Sequence, residues 1–188
     1  MATPPDPALD LTLLSHSRAA EQTRTSRLEQ DVLGLFDQYR SRLLRYLISI
    51  GLKTHDAEEI VQEVFLALFQ HLRREKSREN LRGWVFRVAH NLGLKHLHAS
   101  RRATGEDLSD CHADPAPNPE QQLNARQRRE RLLAVFRALP EQDRWCLQLR
   151  AEGLRYRKIA EVVGMSLGAV SMSLERSLGR LARADRRI

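Results

Sequence analysis

The sequence predicts an all-α protein made of two small helical domains joined by an acidic, flexible linker. Three observations carry that prediction. Apolar residues recur at three- and four-residue steps over most of the chain; no β-type alternation of any length occurs; and residues 102–125 break the helical period with Gly105, Pro115, Pro117 and Pro119. The 188 residues suffice for one domain, or for two that each bury a modest core.

Residues 1–29 open with Pro4, Pro5 and Pro7 and continue as a polar Thr/Ser/Gln/Arg mixture. A flexible arm is expected there, with at most a short helix near Leu9–Leu14. The first domain is expected over 30–101. Leu35, Phe36, Tyr39, Leu43, Tyr46 and Leu47 form one helical stripe, and Thr54 is placed to cap a helix over His55–Leu72 whose apolar stripe is Ile60, Val61, Val64, Phe65, Leu68 and Leu72. The polar run "RREKSREN" separates it from a third helix, "LRGWVFRVAHNLGLKHLHASRR". The second domain is expected over 126–188, with Leu132, Leu133, Val135, Phe136 and Leu139 on one helix and Trp145, Cys146 and Leu149 on the next, broken at Leu139-Pro140.

Charge is unevenly distributed. The net charge of +7 divides into +3 over residues 1–101, −4 over 102–125 and +8 over 126–188. A basic chain of this kind suits nucleic acid, an anionic membrane surface or an acidic protein. Cys111 and Cys146 form neither a CxxC pair nor a metal-ligand spacing with histidine, which disfavours a disulfide scaffold or zinc site and fits a reducing cytoplasm. No apolar run is long enough for a membrane helix, and the first residues lack the basic start of a secretory signal, so no membrane insertion is expected.

Within "IAEVVGMSLGAVSMSLERSL", residues 159–178, the spacing is that of a helix-turn-helix. Ala160 is small where the helices cross, Gly164 suits the turn, and Val170 locks the second helix, at offsets of four and six. Ser166 is placed to cap that helix, and Val170, Leu174, Leu178 and Leu181 are its expected buried stripe. The flanks carry Arg155, Arg157, Lys158, Arg176, Arg180 and Arg183, whereas the outward face begins with Ser171, Met172 and Ser173. A plain helical hairpin would use the same apolar positions but would not require the glycine, the capping serine and the basic flanks together.

Two features of the first domain go beyond packing. Asp56, Glu59 and Glu63 share a helix face opposite the apolar stripe, either solvated or docked on a basic partner. The following helix mixes Trp84 and Phe86 with Arg82, Arg87, Asn91, Lys95, His96, His98, Arg101 and Arg102, a combination suited to stacking on unpaired bases while holding phosphates. His96 and His98 point to different sides of a helix, which argues against a zinc pair.

The segments "DAEEIVQEVFLALFQHL", "LRGWVFRVAHNLGLKHL" and "LPEQDRWCLQLRAEGLRYRKIAEVVGMSLGAVSMSLERSLGRL", in this order and separated by such a linker, resemble the sigma-70 family of bacterial RNA polymerase sigma factors, specifically its extracytoplasmic-function (ECF) group. The resemblance covers about residues 30–185. It implies a sigma2-like domain over 30–101, a sigma4-like helix-turn-helix domain over 126–188, and a non-enzymatic factor without cofactor or metal that directs core RNA polymerase to promoter DNA under an anti-sigma factor. Asp56, Glu59, Gln62 and Glu63 then fall on the polymerase-docking helix. Asn80, Trp84, Arg87, Asn91, Lys95 and Arg101 fall on the segment that captures the minus-ten element as single strand. Arg155, Tyr156, Arg157, Ser171, Met172, Ser173, Glu175, Arg176 and Arg180 fall on the unit that reads the minus-thirty-five element, and the acidic linker matches a connector that runs through the RNA exit path.

Two departures from the family pattern stand out. Basic residues are usual at the positions of Ser171 and Ser173, so minus-thirty-five specificity is expected to rest on Arg176 and DNA shape. Phe69 stands where a tryptophan is usual, a change that packing should tolerate. The competing expectation is a stand-alone helix-turn-helix regulator of the LuxR type, which would leave the first domain unexplained. An enzyme would need a nucleophile-base pair, a phosphate loop or a metal cluster, none of which the sequence displays.

Overall fold

A computed structural model describes residues 7–74, 77–104 and 119–186, which form seven helices and no strand. The first, α1, runs over Pro7–Ser49. Pro7 stands at the first helical position, where its missing N–H is no loss, and neither glycine nor proline follows until Gly34. Residues 7–29, expected as an arm, therefore continue the helix: the Leu, Ala, Glu, Gln and Arg that read as a polar mixture are also good helix formers. Leu28 is already buried.

Helix α2 covers Thr54–Arg73 and α3 covers Leu81–Thr104. The cap of α2 is Lys53, in extended conformation and without a side-chain capping bond, so Thr54 is the first helical residue rather than the cap. All six residues of the expected α2 stripe are buried, together with Ala57. Phe36 meets Phe65 edge-on with centroids 4.9 Å apart, and Tyr46 meets Phe86 at 5.7 Å, joining α1 to α2 and α3. Burial of each such ring or branched side chain contributes roughly 1.5–3 kcal/mol before entropy is counted.

The second half comprises α4 (Pro119–Arg137), α5 (Glu141–Ala151), α6 (Tyr156–Val163) and α7 (Leu167–Asp185). Helix α3 reaches Thr104 and α4 starts at Pro119, so both ends of the expected linker are helical. Glu106, Asp107, Asp110 and Asp114 lie outside the described residues. One expected core position fails: Leu178 is 51 % exposed and, with Leu132, Leu133, Phe136 and Leu181, lines an open apolar groove of about 780 Å³ between α4 and α7. Inward positions of α7 are instead filled by Ser173 and Ser177, beside Val170 and Leu174. Serine there is unreadable from apolar periodicity.

The two halves do not stand apart. One buried cluster runs without a break from Leu43, Tyr46 and Phe86 to Cys146, Leu149, Ile159 and Leu174. Helix α6 lies on α3, and α5 meets α1.

Candidate nucleic-acid interface

The helix-turn-helix forms as its spacing predicts. Gly164 takes φ 72°, in the left-handed region, so that its N–H and that of Met165 both reach the carbonyl of Ala160, at 3.0 and 3.1 Å. Ser166 caps α7, its hydroxyl accepting from the Ala169 N–H at 3.1 Å. Val170 is fully buried and holds α7 down on α6.

The nine expected minus-thirty-five residues, three at the start of α6 and six on α7, divide. Ser171, Met172, Glu175 and Arg180 are exposed, as are Arg155, Tyr156 and Arg157 at the start of α6, where the Arg150 guanidinium stacks 5.6 Å from the Tyr156 ring centre. Ser173 is turned inward and 1 % exposed, and its hydroxyl donates to Asp143 Oδ1 at 2.8 Å. That leaves no surface for a base, so Ser173 is removed from the reading face. Arg176 reaches outward, but its Nε and Nη2 grip both Asp143 oxygens at 2.8 to 3.2 Å. Burial opposes the Asp143 charge; hydrogen bonds from Arg176 and Ser173, with the Arg176 charge, outweigh it and hold the carboxyl below its usual range. The arginine expected to carry specificity is thus spent largely on tying α7 to α5.

On α3 the buried side is Val85, Phe86, Ala89, His90 and Leu97. The opposite side carries Arg87, Asn91, Lys95, His98 and Arg102, all exposed at helical spacing, a cationic stripe about 20 Å long. Trp84 is half-buried with its ring 4.7 Å from that of His71, and Phe86 belongs to the core. Asn80 precedes the helix at φ 54°, its side chain over Gly83, where a Cβ would come within 2.4 Å of it. Arg101 pairs with Glu141 of α5 at 3.7 Å.

The acidic face of α2 is likewise exposed at Glu59, Gln62 and Glu63, whereas Asp56 is partly covered and lies 3.3 Å from His96. Leu66, 60 % exposed, extends this face by one turn, and Leu33 of α1 is equally bare. Sequence reasoning placed neither in a surface.

Between the halves, Glu152 at the end of α5 sits among arginines of α1 and α3. Arg42 donates to its carboxylate at 2.8 Å and to its carbonyl at 2.5 Å; Arg45 approaches the carboxylate at 3.5 Å, and Arg82 donates to the same carbonyl. That carbonyl belongs to the negative end of a helix, which favours cations. Gln148 donates to the carbonyl of Ser49 at 3.0 Å, and the Trp145 ring meets that of His90 edge-on at 4.8 Å. Asp143 and Glu152 were both missed: each is one acidic residue in a basic segment, with no spacing to single it out. Among the described residues no three metal-binding side chains gather.

Residues 35–103 match the model of Sigma-70 region 2, and residues 129–181 match Sigma-70, region 4. The chain belongs to the sigma-70 family. Its relatives place it in the ECF group. An ECF RNA polymerase sigma factor RpoE of Cereibacter sphaeroides is 28 % identical over 161 residues, covering 84 % of this chain and 88 % of that protein. An ECF sigma factor SigE of Mycolicibacterium smegmatis is 30 % identical over 151 residues, covering 78 % of this chain and 58 % of that longer protein. In fold, this sigma factor is similar to RpoE of Bartonella quintana crystallised with the anti-sigma factor NepR, with TM-score 0.66, 19 % identity and coverage of 82 % and 96 % of the two chains. It is also similar to CnrH in complex with the cytosolic domain of CnrY, with TM-score 0.58, 21 % identity and coverage of 85 % and 92 %. In this sigma factor the region 2 match spans the last third of α1, all of α2 and nearly all of α3, and the region 4 match runs from the middle of α4 into α7.

Proposed function

We propose that this chain binds core RNA polymerase, directs it to a particular set of promoters and has no catalytic site of its own. Glu59, Gln62 and Glu63, with Asp56 and Leu66, form the polymerase-docking face of α2. Asn80, Trp84, Arg87, Asn91, Lys95 and Arg101 hold the minus-ten element as single strand, the cations on phosphates and the tryptophan edge beside unpaired bases. Arg155, Tyr156, Arg157, Ser171, Met172, Glu175 and Arg180 meet the minus-thirty-five duplex, with Arg176 setting the angle of α7. The acidic segment 102–125 follows the RNA exit path and imitates RNA charge. The chain works in the cytoplasm, and an anti-sigma factor restrains it.

The observation that carries this reading is the pairing, in one chain, of the cationic α3 stripe with the helix-turn-helix. A lone regulator of the LuxR type needs only the second. Reconstitution with bacterial core polymerase tests the proposal: initiation at a defined promoter is the expected result, and failure of the purified chain to bind core polymerase overturns it.

A further inference from the structure

The outward side of α7 is defined by what its inward side buries. Val170, Ser173, Leu174 and Ser177 face the core, and at about 3.6 residues per turn the positions opposite them are Gly168, Met172, Glu175 and Gly179. Ser171 and Arg176 stand on the two shoulders of that line. If α7 meets the minus-thirty-five duplex, as the promoter reading above has it, this line enters the major groove. It carries no cation. Arginine on guanine is the commonest specific contact to a base, and the nearest arginine, Arg176, has its Nε and Nη2 committed to Asp143.

Gly168 opens the line. Its φ lies outside the left-handed region, and a Cβ there would meet nothing within 4 Å, so neither a turn nor packing asks for glycine. A missing side chain in the first turn lets an outside surface come close to the helix. Met172 follows, 63 % exposed, on a face flanked by the exposed Arg155, Arg157, Arg180 and Arg183. Base edges in the major groove offer one apolar group, the 5-methyl of thymine. Glu175 is one turn further on, exposed, and among the described residues it has neither an ion-pair nor a hydrogen-bond partner. A bare carboxylate is repelled by phosphates and by the O6 and N7 acceptors of guanine; the edge group that suits it is an exocyclic amine, above all N4 of cytosine.

We propose that α7 selects its promoter element by thymine and cytosine rather than by guanine: Met172 packs on a thymine methyl, and Glu175 accepts from the N4 amine of a cytosine. The two side chains are three residues apart, about 4.5 Å of helix rise, close to the ~3.4 Å between successive base pairs. The two bases therefore belong to adjacent pairs, on one strand or across the step. The flanking arginines hold phosphates and fix the register.

The test uses holoenzyme reconstituted from the full chain and bacterial core polymerase, which selects from a promoter library randomised over both elements before the bound DNA is sequenced. The wild-type pool is expected to carry a cytosine and a thymine in adjacent pairs of the upstream element. Glu175→Gln is expected to replace that cytosine with adenine, because an amide both accepts from N6 and donates to N7, with a shift of about tenfold in relative affinity. Deoxyuridine in place of the thymine is expected to weaken wild-type binding about fourfold, the worth of one buried methyl, and to leave Met172→Ala unaffected. Both side chains are exposed, so thermal midpoint and core affinity should match wild type in both variants. An element unchanged by Glu175→Gln overturns the cytosine contact, and equal wild-type binding of thymine and deoxyuridine overturns the thymine contact. A chain that binds core polymerase and selects a guanine-led upstream element overturns this inference alone; one that fails to bind core polymerase overturns the promoter reading beneath it.

Discussion

The hydroxyl of Tyr46 lies 2.7 Å from Nδ1 of His90, deep in the core where α1 and α3 cross, with the edge of Trp145 closing the third side. Burial pushes the imidazole down from 6.5 to about 4 and pushes the Tyr46 phenol up, the nearby Cys146 adding to the latter. The ring is therefore neutral at pH 7, and its tautomer sets which of the two groups donates in this hydrogen bond.

A histidine harder to protonate folded than unfolded costs nothing above its ordinary value and costs increasingly as pH falls from 6.5 toward 4. Denaturant melts at pH 7 and pH 4 should differ by ~3 kcal/mol from this group. Replacing His90 with Gln should flatten that part of the profile while lowering stability at pH 7.

Arg176→Ala strips the bidentate donor from a buried carboxylate. A loss of ~2 kcal/mol is expected, read as earlier unfolding of α5 to α7 by hydrogen exchange. Asp143→Asn in the same background should recover part of it, because the uncompensated charge is then gone.

Ser171 is exposed at the start of α7, and Ser173 is not. Ser171→Arg should alter promoter choice in run-off transcription and leave core affinity unchanged. Ser173→Arg should instead unfold the second half, since nothing beside Asp143 accommodates the longer chain.

Charge reversal at Glu59 and Glu63 together should weaken core polymerase binding at least tenfold, ~1.4 kcal/mol, without moving the thermal midpoint by more than a few degrees. Equal binding by the double variant in a pull-down would remove this face from the docking surface.

Gly153 has φ 78°, and a Cβ there would meet the Arg82 guanidinium at 2.6 Å. The left-handed turn lets the Gly153 and Leu154 N–H groups close the end of α5 on the carbonyls of Arg150 and Leu149. Gly153→Ala should cost ~1–2 kcal/mol in a thermal melt and enlarge the molecule in scattering by pushing Arg82 off Glu152.

Legibility followed the strength of periodic signals. The α2 stripe and the Ala160, Gly164, Val170 turn were readable because each rests on apolar or glycine positions at fixed spacing. The first turns of α1 were not, because a helix and a flexible polar arm can share a composition. Ser173 and Arg176 were assigned to the reading face from the helix-turn-helix spacing and the family resemblance, and neither distinguishes a serine facing water from one facing a buried Asp143. The closed arrangement of the halves was invisible, since a single glutamate among distant arginines leaves no local pattern.

The tie from Asp143 to Ser173 and Arg176 also bears on how such factors can be rewired. Recognition helices are often treated as interchangeable cassettes, moved between relatives to redirect a regulator. Here the helix is keyed to an acidic residue some thirty positions upstream, on a different element. A transplanted α7 carrying arginine at 173 would arrive without room for it, and one lacking Arg176 would leave Asp143 stranded. Residue 143 has to travel with the graft.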